Sequence, residues 1–161
     1  MGIDNLMASK GVAVVNFPIE KVIQFLDTVG SLKLLDDTCI EENSVYKEKD
    51  VEVVYYRFKA PWPVSHRDFV CVSYRLNEGN KIYLGSKSCN YPVPEVNGVV
   101  RAEAFIGGYI LEKLDEKTTK VTYMSNADIK GSIPTIIKNQ LSKNQGTIAG
   151  RVEEAMKKSK Q

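Results

Sequence analysis

The chain has 161 residues, the size of one ordinary domain built around one core. Hydrophobic residues make up 43% and charged residues 26%, a globular composition that excludes disordered, collagen-like and membrane-spanning classes. With 22 basic against 20 acidic side chains the net charge is +2, and the signs are interspersed, so nucleic acid is not the expected partner.

In chain order, Gly11 to Asn16 is short and β-branched and predicts a strand. Pro18 suits a first helical turn, and Val22, Ile23, Phe25 and Leu26 recur at helical spacing up to Gly30, with a second short helical piece over Ser31 to Asp37. The pattern then changes to period two. Thr38 to Lys47, Val51 to Ala60, Arg67 to Leu76, Lys81 to Ser88, Val99 to Leu114 and Lys120 to Asp128 predict strands joined by short turns, an antiparallel meander. Ser132-Ile133-Pro134 opens a last helix on which Ile133, Ile137, Leu141, Ile148, Val152 and Met156 form one apolar stripe. Such a stripe needs a surface to cover, and the concave face of the sheet is the only one large enough. The expected architecture is α+β, a curved antiparallel sheet gripping a long C-terminal amphipathic helix, over residues 1–161 as a single domain.

Catalytic patterns are sparse. His66 is the one histidine and sits in a Pro-rich loop with no GxSxG elbow, and no phosphate-cradling glycine motif is present. The adjacent carboxylates Asp36-Asp37 and Glu41-Glu42 read as solvated. Cys39, Cys71 and Cys89 are odd in number and far apart, which predicts free thiols in a reducing compartment, with neither metal nor cofactor. No signal pattern opens the chain. Met1-Gly2 begins like an acylation site, yet Leu6 stands where Ser or Thr is needed, so a cytoplasmic protein without its own lipid anchor is expected.

Several strands are apolar on both faces. Val54, Tyr56 and Phe58 share one face of their strand while Val53 and Tyr55 share the other; Phe69, Cys71 and Ser73 alternate with Val70, Val72 and Tyr74. One face covers a core; for the other, core packing and the lining of an internal cavity under the last helix both stay open.

The stretch from Val53 to Val70, an aromatic strand followed by Pro61-Trp62-Pro63 and Arg67-Asp68-Phe69-Val70, resembles the START (steroidogenic acute regulatory-related lipid transfer) domain signature. Gly98 to Glu103, Gly107-Gly108 and Asp128 to Pro134 resemble the family in the same order, so the likeness runs from about Gly11 to the end. It implies a helix-grip fold around a lipid tunnel gated by the C-terminal helix and the Ala60 to His66 loop. The implied function is non-catalytic lipid binding and transfer between membranes, with transient contact at a membrane surface. Gapless counting from Arg67-Asp68 carries the phosphatidylcholine branch's basic position onto Lys33 and its choline cage onto Tyr56, Phe58, Phe69 and Phe105. The acidic/basic pair of the cholesterol branch falls on Val54 and Ser73 and is absent, which favours a phospholipid, phosphatidylcholine first. Cys71 and the helical residues Ile137, Leu141 and Ile148 complete the expected lining. Arg67-Asp68 and Arg101-Glu103 are expected as structural ion pairs. Family members carry an N-terminal helix and two strands before the equivalent of Gly11, and their absence predicts an open sheet edge, hence a homodimer or a smaller ligand. Two rival readings are a lipid-sensing interaction module and a grip-fold cyclase or hydrolase, for which Lys33, Glu103 and His66 are the few acid/base candidates.

Overall fold

The computed structural model describes residues 6–160; the Met1-Gly2 start lies outside them. Strand β1 (Leu6–Val15) leads into helices α1 (Ile19–Leu26) and α2 (Ser31–Leu35). Then come β2 (Cys39–Glu48), β3 (Val51–Phe58), β4 (His66–Glu78), β5 (Lys81–Ser88), β6 (Val99–Arg101), β7 (Glu103–Lys113) and β8 (Thr119–Asp128), and finally α3 (Thr135–Gly146) and α4 (Ile148–Lys158). The sheet order is β1-β8-β7-β5-β4-β3-β2, every neighbour antiparallel, with β1 and β2 at its edges. This is the expected helix-grip arrangement, the predicted meander with the first strand laid beside the last.

Two expected elements are divided. The strand predicted over Val99 to Leu114 is β6, which pairs parallel with β4, followed by β7, which pairs with β5 and β8. The chain changes partner at buried Ala102, whose N–H donates to the Asp68 carbonyl at 2.9 Å. The single C-terminal helix is broken at Thr147 into α3 and α4. The break sits where β1 presses on the helix: a Cβ on Gly11 would lie 2.2 Å from the Gly146 carbonyl oxygen, so only glycine permits this approach.

The two helices differ in how they are held. On α4, Ile148, Ala149, Val152, Ala155 and Met156 are buried, whereas α3 buries no residue completely. The main core lies under α4, where Val22, Ile23 and Leu26 of α1 meet Val15, Leu111, Val121, Ile148 and Val152. The outer face of β3 and β4 is closed separately: Val53, Tyr55 and Val70 are covered by Cys89, Tyr91 and Val93 from the segment after β5. The second apolar face therefore belongs to the concave side.

The ionic pattern departs from expectation. Asp68 pairs with Arg101 across β4 and β6, Nε to Oδ1 at 2.7 Å and Nη2 to Oδ2 at 3.2 Å, and accepts the Tyr55 hydroxyl at 2.9 Å. Arg67 instead donates to the carbonyls of Ile129 (2.7 Å), Lys130 (2.8 Å) and Ser65, and Glu103 is exposed. Neighbours on one strand point to opposite faces, so Arg67 and Asp68 cannot face each other.

Candidate functional site

Between α3 and the concave face lies a cavity of about 180 Å³. Tyr56 and Phe58 of β3 and Phe69 and Cys71 of β4 form one wall, because residues two apart on each strand share a face and the register sets Tyr56 opposite Phe69. The rings make a continuous surface: Phe58 lies 6.3 Å from Tyr56, stacked, and 5.7 Å from Phe69, edge to face. Ala104 of β7 and Tyr123 and Ser125 of β8 form the opposite wall; Leu141 and Gln145 of α3 close it.

Five of the eleven candidate residues, Tyr56, Phe58, Phe69, Cys71 and Leu141, thus lie on the cavity wall, and the other six do not. Lys33 is exposed. On the short α2, Ser31 and Leu35 turn inward and Leu32 lines the cavity, which leaves Lys33 and Leu34 on the solvent side. Phe105 is 46% exposed, because it is the extra residue of a bulge between the Ala104–Ala127 and Ile106–Asn126 pairs. Gapless counting cannot see a bulge. Val54 is buried farther along β3; Ser73 donates to the Glu52 carbonyl at 3.1 Å, beyond the cavity. Ile137, on the first turn of α3, packs with Ile133 and Val64, and Ile148 is sealed in the main core because the helix breaks just before it.

The wall also carries groups that strand periodicity did not single out: Glu42, Tyr109, Tyr123, Ser125 and Gln145. Glu42, read from its neighbour as half of a solvated pair, reaches the start of α2, where its Oε2 accepts the Lys33 N–H at 3.1 Å. Burial raises its carboxyl above the usual range, and the backbone amides of Gly30, Lys33 and Leu32 oppose that shift. The hydroxyls of Tyr56 and Tyr123 are pushed well up, chiefly by burial. Thiols of Cys39 and Cys71 rise to about 12 for the same reason. We therefore expect alkylation of the native protein at pH 8 to leave Cys39 and Cys71 at least about 100-fold less reactive than a free thiol. Mass mapping of labelled peptides before and after denaturation checks this.

One polar network ties the end of the lid to the body. Buried Asp36 accepts from Thr38, from Asn144 Nδ2 (2.9 Å) and from Gln145 Nε2 (2.6 Å), while the Tyr123 hydroxyl donates to Gln145 Oε1 at 2.7 Å. Arg151 adds a hydrogen bond to the Leu35 carbonyl at 3.0 Å. A groove lined by Lys59, Ala60, Pro61, Leu141 and Lys143 adjoins the cavity, sharing Thr38, Lys59, Ala60 and Leu141 with it, and is the candidate mouth. Lys33, Glu103 and His66, the candidates for acid/base chemistry, do not line the cavity.

Residues 22–160 match the START domain family. The chain belongs to the START family. This START chain is 27% identical over 127 residues to START domain-containing protein 10 of Homo sapiens, covering 78% of this chain and 44% of that protein. It is 34% identical over 140 residues to the mitochondrial steroidogenic acute regulatory protein of Salvelinus fontinalis, covering 81% of this chain and 49% of that protein. The START chain thus spans about half the length of the curated relatives it matches. Human StAR-related lipid transfer protein 5 superposes with a TM-score of 0.81 at 18% identity, covering 94% of this chain and 76% of that one, a likeness of fold.

Proposed function

We propose that this START chain binds an amphiphilic lipid in the cavity beneath α3 and carries it between membranes. The observation that carries the reading is the cavity itself, an apolar, aromatic-walled space under a helix that buries no residue completely. A lipid crossing water exposes its chains at about 0.8 kcal/mol per methylene, and a lidded cavity removes that cost. The likeness to a structure titled a lipid transfer protein supports the same reading. At about 180 Å³ the space is smaller than the roughly 300–1,000 Å³ of usual ligand sites, so a long-chain lipid enters with displacement of α3. Thr147 is the natural pivot, since α4 beyond it is anchored in the core.

Membrane contact is supported at the mouth. Trp62, 92% exposed in the loop before β4, and Ile136, 79% exposed on α3, belong to the two segments that line the groove with Lys59 and Lys143. Exposed apolar groups beside lysines suit an anionic bilayer surface. Phosphatidylcholine is the first phospholipid to test, supported by the joined aromatic faces of Tyr56, Phe58 and Phe69.

The test is transfer of labelled phosphatidylcholine between donor and acceptor vesicles, together with native mass spectrometry of the purified chain. Protein-dependent transfer and a co-purifying lipid are expected. Trp62→Ala slows transfer roughly three- to tenfold at unchanged equilibrium binding, because docking alone is weakened. A chain that retains no lipid and accelerates no transfer overturns the reading.

A further inference from the structure

Part of the cavity wall is polar: Glu42, Tyr109, Tyr123, Ser125 and Gln145 all line it. Tyr109 of β7 stands beside Tyr123 of β8 with ring centroids 5.3 Å apart. The hydroxyls of Tyr109 and Ser125 are buried on this wall and have no hydrogen-bond partner. Tyr123 donates its proton to Gln145 Oε1, which leaves its oxygen as an acceptor beside Ser125, while Gln145 donates to Asp36; Tyr109 is the hydroxyl with no such neighbouring partner. Tyr109 is pushed well up, first by burial, and it shares the cavity wall with Tyr123, Tyr56 and Glu42.

Glu42 is the one acidic side chain among the described residues lining the cavity, and the Lys33 ammonium on the solvent side of α2 is near enough to favour its charged form. Glu42 is held by the first turn of α2, and no lysine or arginine forms an ion pair with it among the described residues. The cavity's one arginine, Arg67, spends its guanidinium on the carbonyls of Ile129, Lys130 and Ser65. A phosphate or carboxylate head beside Glu42 meets a like charge, which disfavours it. A buried hydroxyl left without a partner costs about 1–3 kcal/mol, so a ligand that supplies donors here recovers that cost. An ammonium does so with three N–H groups: one suits the Glu42 carboxylate in a charge-assisted bond, the others suit the Tyr109 and Ser125 oxygens. The aromatic face of Tyr56 adds attraction for the same charge.

We propose that this polar part of the cavity wall is a head-group site for a lipid bearing a primary ammonium, such as a long-chain base, with Glu42 as the counter-ion and Tyr109 and Ser125 as the acceptors. This rests on the lipid-binding reading above and adds a class of lipid to the phosphatidylcholine tested there. A single chain also suits the limited free volume better than two. A trimethylated ammonium keeps the charge but has no N–H to offer the orphan hydroxyls, so the site distinguishes the two.

The experiment uses the full delipidated chain and four C18 probes below their micelle concentrations: the primary amine, its N-trimethyl derivative, the alcohol and the carboxylic acid. Displacement of a fluorescent fatty probe gives relative affinities. The amine is expected to bind at least about tenfold tighter than the alcohol and the acid, with the trimethyl compound between. In Glu42→Gln the amine-to-alcohol ratio falls to near one. Tyr109→Phe, which leaves the start of α2 untouched, reduces the ratio several-fold and guards against a misfolded Glu42 variant. Equal binding of amine and alcohol by the native chain, or a ratio unchanged in both variants, overturns the head-group site while lipid binding stands. Retention of none of the four probes, nor of phospholipid, overturns both.

Discussion

Ala104→Phe is expected to reduce lipid uptake to below detection while the fold stands. Ala104 is half-buried on β7 and its methyl faces the free space, opposite the wall of Tyr56 and Phe69. A phenyl ring there occupies much of the roughly 180 Å³ that a ligand needs. In a filled core such a substitution costs about 1–3 kcal/mol through overpacking, but here the ring enters space that no side chain holds. The melting temperature therefore stays within a few degrees while the co-purifying lipid disappears from native mass spectra. A variant that melts normally and still takes up lipid would move the binding site elsewhere.

Asp36→Ala is expected to carry the largest loss of stability, about 3–5 kcal/mol, because it removes a fully buried carboxylate and leaves its donors unpaired. Those donors are Thr38, Asn144 and Gln145, and the last two sit on the final turn of α3. The damage is thus directed at the lid as well as at the body. Urea unfolding should show a lower midpoint, and hydrogen exchange should show faster exchange along α3 than along α4, whose anchorage is apolar. Asp36→Asn, which keeps one acceptor, is expected to lose less. An unchanged midpoint in Asp36→Ala would show that the network contributes nothing to holding α3.

Much of the fold was legible because it is written in local periodicity. The strands from Cys39 to Ser88 fall within a few residues of their alternating patterns, and Pro18 and Pro134 mark where helices begin. The START signature from Val53 to Val70 was equally legible, and part of the reason is physical: Arg67 and Asp68 are buried anchors joining β4 to the Ile129 segment and to β6. The aromatic wall was found by the same means, since Tyr56, Phe58, Phe69 and Cys71 obey simple alternation.

The rest of the site follows from long-range packing. Phe105 left the cavity through a bulge that is defined only by its pairing with β8. Lys33 turned outward because the turn at Gly30, with φ 105°, sets which side of α2 meets the body. Ile148 entered the core instead of the lid because Gly11 meets Gly146 and the helix breaks beside that contact.

Sequence alone determined the class of fold, the order of its elements and one aromatic wall, since each depends on residues close together in the chain. Only the tertiary structure decided that Glu42, Tyr109 and Ser125 line one cavity. These residues come from β2, β7 and β8, and their meeting depends on the curvature of the whole sheet under α3. No local pattern encodes it.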